Sequence, residues 1–248
     1  SVGAAGYGTD KAIFAYGYSG GGTRVSMSNL VNNSGVVASD VTGVGTARNG
    51  IAAAGYGSTG QAIFAYGNTG SSVSMSNLVT NVGVIGSDVT GVGTARHALA
   101  AAEYGTDKAI FGYGYSLTSL TNLVSNVGVV SSDVSGVGTV RYSLAAAGYG
   151  LDKALFGYGE LGSGGTGITN LVSNSGVVAS DTSGVGTARS VLGGTTYGGD
   201  KAIFAYGYSG SYVSLSNLVS SSGVVATDTT GVGTARYEVG AAGYSITA

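Results

Sequence analysis

Short apolar runs separated by glycine-rich turns predict an all-β chain. Residues 11–17 hold almost no polar position after the first, which indicates a strand covered on both faces. Residues 25–31 alternate between polar and apolar, which is typical of a strand with one wetter face. The small residues of 51–56 predict a strand in a crowded place, and residues 35–40 predict a strand that ends in an Asp turn. We therefore expect four strands in each unit of the pattern.

The same unit of about 48 residues occurs five times. Its clearest marker is the block Asp-Val-Thr-Gly-Val-Gly-Thr-Ala-Arg that ends at Arg48, and related blocks end at Arg96, Arg141, Arg189 and Arg236. A period of this length is typical of arrays, solenoids and propellers. The predicted units are 1–48, 49–96, 97–141, 142–189 and 190–236, followed by a closing strand at 237–248.

The regularity of the outermost units favours a closed ring over an open solenoid, because a solenoid needs atypical capping repeats. We predict one domain, 1–248, that forms a five-bladed β-propeller with four antiparallel strands per blade and a terminal strand that closes the ring. The small-residue run occurs six times, so one terminal copy is expected to close the ring. The other copy would be displaced or join a neighbouring module, unless the chain was cut from a longer array.

The order of motifs resembles the kelch repeat: an Arg, then Ala-Ala-Ala, then Ile-Phe-Ala-Tyr-Gly, then Asn-Leu-Val and an Asp turn. This resemblance implies a β-propeller. The kelch Gly pair is replaced here by sequences such as Gly112-Tyr113-Gly114, and the Trp of the kelch fourth strand is missing. The repetitive style, without Pro or Cys, also resembles virion proteins of phages such as tail-fibre segments. That second resemblance implies a virion or extracellular location, with other virion or surface proteins as partners.

Composition narrows the function classes. Only 9% of the residues are charged and the formal net charge is −2. A chain with so little positive charge cannot neutralise many phosphates, so we expect no nucleic-acid partner. No apolar stretch approaches the roughly 18–20 residues of a transmembrane helix, so we expect no membrane insertion. With no Cys and a single His, the chain offers no evident cofactor or metal site, and we predict none.

Two sets of charged residues recur with the repeat. Each Arg follows an Asp by eight residues, and the Asp residues are Asp40, Asp88, Asp133, Asp181 and Asp228. We expect structural roles for both sets, with each Arg paired to the Asp eight positions earlier or to turn carbonyls. The alternative is a ring of Arg residues that binds an anion at a channel mouth.

No catalytic set is visible in the sequence. The Asp turn offers one carboxylate per unit, so an Asp-capped turn is favoured over a calcium loop, and the glycine motifs lack the features of a phosphate loop. His97 stands at a variable position without a visible nucleophile partner, so we expect a packed or exposed side chain. We predict that the protein is not an enzyme.

Tyrosine is the residue type in this chain that is best suited to contact a ligand. Length variation is concentrated in the connection between the second and third strands, and loops of this kind carry recognition on a rigid scaffold. The candidate ligand-binding residues that flank it are Tyr18, Tyr115, Tyr208 and Tyr212. The expected function is a non-enzymatic virion or surface-fibre module, structural or host-recognising, with host glycans as candidate ligands. The alternative is a secreted multivalent lectin.

Overall fold

The structure is a computed structural model and describes residues 2–243. The described residues form fifteen strands, numbered β1 to β15 in chain order, and no helix. The strands group into five antiparallel sheets of three, with one sheet in each of the five sequence units. No helix in residues 2–243 could cross a membrane.

The small-residue runs form the first strand of each sheet. These are β1 (Gly3–Tyr7), β4 (Ala52–Tyr56), β7 (Ala100–Tyr104), β10 (Ala145–Tyr149) and β13 (Gly193–Tyr197). Each contacts the first strand of the next sheet, in the order β1, β4, β7, β10, β13, so the five sheets form a ring-like repeat. Alanine and glycine suit these strands because neighbouring first strands approach closely: a Cβ on Gly55 would lie 3.5 Å from the Gly6 carbonyl.

The second and third strands of each sheet carry the core. The second strands are β2 (Lys11–Tyr18), β5 (Gln61–Asn68), β8 (Lys108–Gly112), β11 (Lys153–Gly157) and β14 (Lys201–Tyr208). The third strands are β3 (Arg24–Val31), β6 (Ser72–Val79), β9 (Thr121–Val124), β12 (Thr169–Val172) and β15 (Tyr212–Val219). Four apolar clusters lie between consecutive sheets, one at each contact from the first sheet to the fifth. The second strands of units two to four are thus covered on both faces, as the sequence predicts, whereas those of units one and five are covered on one.

The prediction of four strands per unit is wrong, because the fourth segment makes only isolated bridges to the third strand. In the first unit these bridges join Ser28 to Val41 and Val31 to Val37, and each later unit repeats them. The repeated Asn explains the broken ladder. In the second unit the Asn77 carboxamide donates to the Gly86 carbonyl at 3.0 Å and to Asp88 at 2.9 Å. A side chain thus occupies the place of regular backbone pairing.

The described residues of both terminal copies of the small-residue run lie in the ring-like repeat, so the predicted alternative in which one copy is displaced is wrong. The N-terminal copy is β1, the first strand of the first sheet. Residues 239–243 lie between β13 and β1: a Cβ on Gly193 would lie 2.9 Å from Val239, and a Cβ on Gly240 would lie 3.1 Å from Val2. This segment is not part of a regular strand, and residues 244–248 of the predicted closing strand lie outside the described residues.

Candidate functional site

The repeated arginines clasp neighbouring units together. Arg48 leaves the end of the first unit and enters the second, where its Nε donates to the Tyr66 carbonyl at 2.9 Å and its Nη2 donates to Asn77 Oδ1 at 2.6 Å. Its Nη1 donates to the Thr46 carbonyl at 3.0 Å. The guanidinium also lies over the Tyr16 aromatic ring, 4.3 Å from the centroid. One side chain thus connects two sheets and is fully buried.

The same clasp recurs at each of the four contacts between consecutive sheets. Arg96 binds Asn122, Arg141 binds Asn170 and Arg189 binds Asn217, all at 2.6–2.7 Å. The predicted pairing of each Arg with the Asp eight positions earlier is therefore wrong. The Asp that lies near each guanidinium belongs to the following unit: Arg48 Nη1 lies 3.9 Å from Asp88. The turn carbonyl partners were anticipated. The four buried guanidiniums lie between sheets and not at a channel mouth, so the anion-site alternative does not describe them.

Each of these Asp side chains also caps a turn of the preceding unit. Asp88 accepts hydrogen bonds from the Thr46 hydroxyl at 2.6 Å and the Thr46 amide at 3.0 Å. Burial alone would raise the pKa of Asp88, but the hydrogen bonds from Thr46 and Asn77 outweigh it and hold the pKa below its ordinary value. Burial lowers the pKa of Arg48, although a guanidinium starts high enough to remain charged. The clasp is thus a charged network held at neutral pH.

The predicted ligand-binding tyrosines lie in three groups at the variable connections. In the third unit, Tyr115 is half exposed and packs against two aromatic side chains from the starts of units three and four. Its ring centroid lies 4.7 Å from that of His97 and 5.4 Å from that of Tyr142. Neither neighbour was predicted as a site residue. Both follow a repeated Arg directly, a position whose variation between units is visible in the sequence.

The fifth unit holds a second aromatic group. Tyr208 and Tyr212 face each other across the hairpin with centroids 6.0 Å apart, and Tyr212 stacks on Tyr237 at 4.7 Å with an interplanar angle of 11°. All three side chains are exposed. Tyr18 of the first unit lies apart from both groups, with Arg24 5.5 Å from its ring centroid. The structure thus brings Tyr208 and Tyr212 together and leaves Tyr18 and Tyr115 in other units.

His97 has a hydroxyl partner that the sequence did not reveal. Its Nδ1 lies 2.9 Å from Ser72 Oγ, which belongs to the third strand of the preceding unit. Partial burial lowers the pKa of His97. In residues 2–243 no carboxylate is hydrogen-bonded to the imidazole, so the third member of a catalytic triad is not among them. The pair is a packed contact between units, and His97 is half-buried.

A central cavity of about 440 Å³ is lined by the first strands of all five sheets and by residues 241–243. The inner positions of these strands are mostly glycine, alanine and threonine, and each strand contributes a tyrosine at its end. Glu103 is the one carboxylate in this lining and stands where other units have Gly55 or Gly148. Burial within the ring, together with the nearby charge of Asp107, raises the pKa of Glu103 to about 7. The side chain nevertheless keeps accessible surface toward the cavity. The break in the repeat was visible in the sequence, but its place in the cavity was not.

Within the part of the chain that the structure describes, no three His, Asp or Glu side chains lie close enough together to hold a metal ion. The Asp turns instead engage threonine hydroxyls, as at Asp88.

Comparison with known proteins adds no relative. No protein-family model matches the chain, and no curated protein matches it significantly.

Proposed function

We propose that the chain is a kelch-like β-propeller module with five complete blades that acts as a non-enzymatic recognition and structural element of a virion or surface fibre. Each blade would consist of one three-stranded sheet and the bridged fourth segment along its outer edge. The order of Arg, small strand, aromatic strand and Asp turn supports the kelch-like assignment, and the ring-like arrangement of the sheets is what a propeller requires.

The observation that carries the proposal is the division between identical interiors and variable loops. The clasps repeat the same hydrogen bonds at four contacts, whereas the hairpin connections differ in sequence in every unit and in length between most units. Exposed aromatic groups stand on these connections, with Tyr115 in one unit and Tyr212 in another. A rigid scaffold that presents different loops is suited to recognition, because the loops do not have to hold the fold together.

Exposed tyrosine favours glycans as the ligand class, because the aromatic face stacks on a sugar while the hydroxyl forms a hydrogen bond. The alternative is a secreted lectin that acts alone. A lectin of that kind would gain avidity from equivalent sites in every unit. The aromatic groups differ from unit to unit, and this observation favours the fibre module.

The test is binding of the purified chain to a broad glycan array, with and without calcium. We expect saturable binding that Tyr115→Ala or Tyr212→Ala weakens at least tenfold. Tyr197→Ala is the matched control, because Tyr197 is similarly exposed but ends a first strand, away from the variable connections. Binding that none of these substitutions changes would refute recognition by the hairpin tyrosines. If a chain that unfolds cooperatively binds no glycan on the array, only the structural role would remain.

A further inference from the structure

The four contacts between consecutive sheets share one set of interactions. At the first contact, Phe64 of the second unit packs against Tyr16 of the first, with centroids 5.6 Å apart, while Arg48 covers the same Tyr16 and binds Asn77. The same Phe–Tyr pairing recurs at the other three contacts. Each unit therefore presents a Tyr and an Arg on one face, and a Phe, an Asn and an Asp on the other.

The fifth unit presents the Tyr and Arg face without a complement. Arg236 lies 4.0 Å from the centroid of Tyr206, as in the other clasps. Within residues 2–243, however, the only side-chain hydrogen bond of Arg236 runs to the Thr234 carbonyl at 3.3 Å, and the side chain is exposed, whereas the four equivalent arginines are fully buried. Tyr206 and Ile203 beside it are only half-buried.

The first unit presents the opposite face without a complement. Phe14 is half-buried, whereas the four other phenylalanines are fully buried. Asn29 donates to the Ala38 carbonyl and to Asp40, as its equivalents do, but no Arg of residues 2–243 donates to it. Asp40 likewise receives no hydrogen bond from a threonine in the described residues, whereas Asp88 receives one from Thr46.

The space between these two faces is one unit wide. Residues 239–243 fill a single first-strand place between β13 and β1, since a Cβ on Gly6 would lie 3.4 Å from the Gly243 carbonyl and a Cβ on Gly55 would lie 3.5 Å from the Gly6 carbonyl. Outside that segment, a cavity of about 290 Å³ is lined by Tyr206, Ile203, Ala205 and Arg236. This cavity lies against Tyr206. At each of the four contacts between consecutive sheets, a Phe packs against the equivalent Tyr.

We infer that this space is a docking site for the outer part of one further repeat unit. The occupant would be a polypeptide segment of about 40 residues, the length of 57–96, with a second strand, a third strand and an Asp turn. Its Phe fills the cavity beside Tyr206, its Asn binds Arg236 and its Asp caps Thr234. Its own Arg binds Asn29 and Asp40 on the other side.

A second copy of this chain does not fit the same space. The occupant needs both of its faces free, whereas units two to four of a copy are covered on both faces and units one and five on one. The inner strand is also already present as residues 239–243, so only the outer part of a unit is missing.

The test uses a fusion in which residues 57–96 follow Tyr244 in place of 245–248, a junction that keeps the repeat register because Tyr244 corresponds to Tyr56. We expect the Tm to rise by about 5 °C or more, since a fifth apolar contact and a sixth are formed. Arg236→Ala should lower the Tm of the fusion by several-fold more than it lowers the Tm of the natural chain. Phe64→Ala and Asn77→Ala, placed in the appended copy only, should remove most of the gain.

The fusion decides the inference. An unchanged or lowered Tm, with Arg236→Ala equally mild in both proteins, would overturn it. Titration of the natural chain with a labelled peptide of residues 57–96 then asks whether a separate chain can supply the segment, and saturable binding that Arg236→Ala weakens would add support. Glycan binding plays no part in either readout, so this inference and the proposed function fail independently.

Discussion

At the scale of single residues, the arginine clasp is the feature that orders the units. A buried guanidinium is stable only if its donors are satisfied, and in Arg96 they reach the Tyr113 and Thr94 carbonyls and Asn122. The charge also lies over the Tyr66 aromatic ring at 4.3 Å, and burial raises the pKa of that tyrosine to about 12. Breaking such a network leaves buried polar groups without partners.

Arg96→Ala should therefore destabilise the protein by about 3–5 kcal/mol, because it leaves the Asn122 side-chain oxygen and the Tyr113 carbonyl buried without the donor that they share. The measurement is the free energy of unfolding in urea. Arg236→Ala is the matched control, since this side chain is exposed and should cost about 1 kcal/mol or less. Equal losses for the two variants would show that the clasp contributes no more than the stem of an exposed arginine.

At the scale of elements, the hairpin between the second and third strands is the point where strands that are the same in every unit are followed by loops that differ between units. In the first unit a register shift falls at Tyr16, which adopts a φ of +63°, and the equivalent tyrosines of all units adopt nearly the same angle. The left-handed region is unfavourable for such a residue, so it persists here because the ring is held beneath Arg48 and against Phe64. Beyond this point the loop lengths differ without changing the framework.

The loop of the first unit should accept replacement. Residues 19–23 join Tyr18 to Arg24, and residues 69–71 join the equivalent pair in the second unit. A Cβ built on Gly20, Gly21 or Gly22 would meet nothing within 4 Å, and the hydrogen bond from the Gly22 amide to the Ser19 carbonyl stays within the loop. Replacing 19–23 by Thr-Gly-Ser should therefore shorten the loop without disturbing the strands. We expect the free energy of unfolding to change by about 0.5 kcal/mol or less.

Thermal unfolding measures the difference in stability between the loop variant and the parent chain. The same exchange in reverse, five residues in place of 69–71, serves as the control and should be equally mild. A loss of several kcal/mol in either direction would mean that these loops hold the sheets together.

At the scale of the whole molecule, the ring creates an environment that no single unit possesses. Glu103 is placed among five first strands, and its pKa of about 7 results mainly from burial there and secondarily from Asp107. In the unfolded chain the carboxyl would have its ordinary pKa of 4.5. The folded protein thus holds the proton more tightly, and stability should fall as the pH rises from 4.5 to about 7 and level off above that.

Glu103→Gln should remove this fall, so the variant is more stable than the parent above pH 7. The difference should be on the order of 1 kcal/mol, because water in the cavity screens a side chain that keeps accessible surface. Urea unfolding at a series of pH values measures it. Glu103→Gly, which restores the residue found at Gly55, should flatten the profile in the same way. Parallel profiles for parent and variants would show that Glu103 titrates normally.

The repeat and three strands of each unit can be predicted from the sequence alone, because the repeat period and the polarity pattern are local properties that recur in every copy. The sequence also predicted structural roles for the Arg and Asp residues, since they recur at fixed spacings. It did not determine which Asp meets which Arg: Asp40 and Asp88 recur equally regularly around Arg48, and only the packing of one sheet on the next selects the second.

The tertiary structure also decided the fate of the fourth segment, where the side chain of Asn77 interrupts the ladder, and the place of both terminal runs. It brought Tyr115 to His97 and Tyr142, and put Glu103 in a cavity shared by five sheets. These results depend on contacts between units, and a repeated sequence is nearly the same at every contact. Only the packing of one sheet on the next shows that, among residues 2–243, Arg236 and Asn29 lack the partners from a neighbouring unit that their equivalents have.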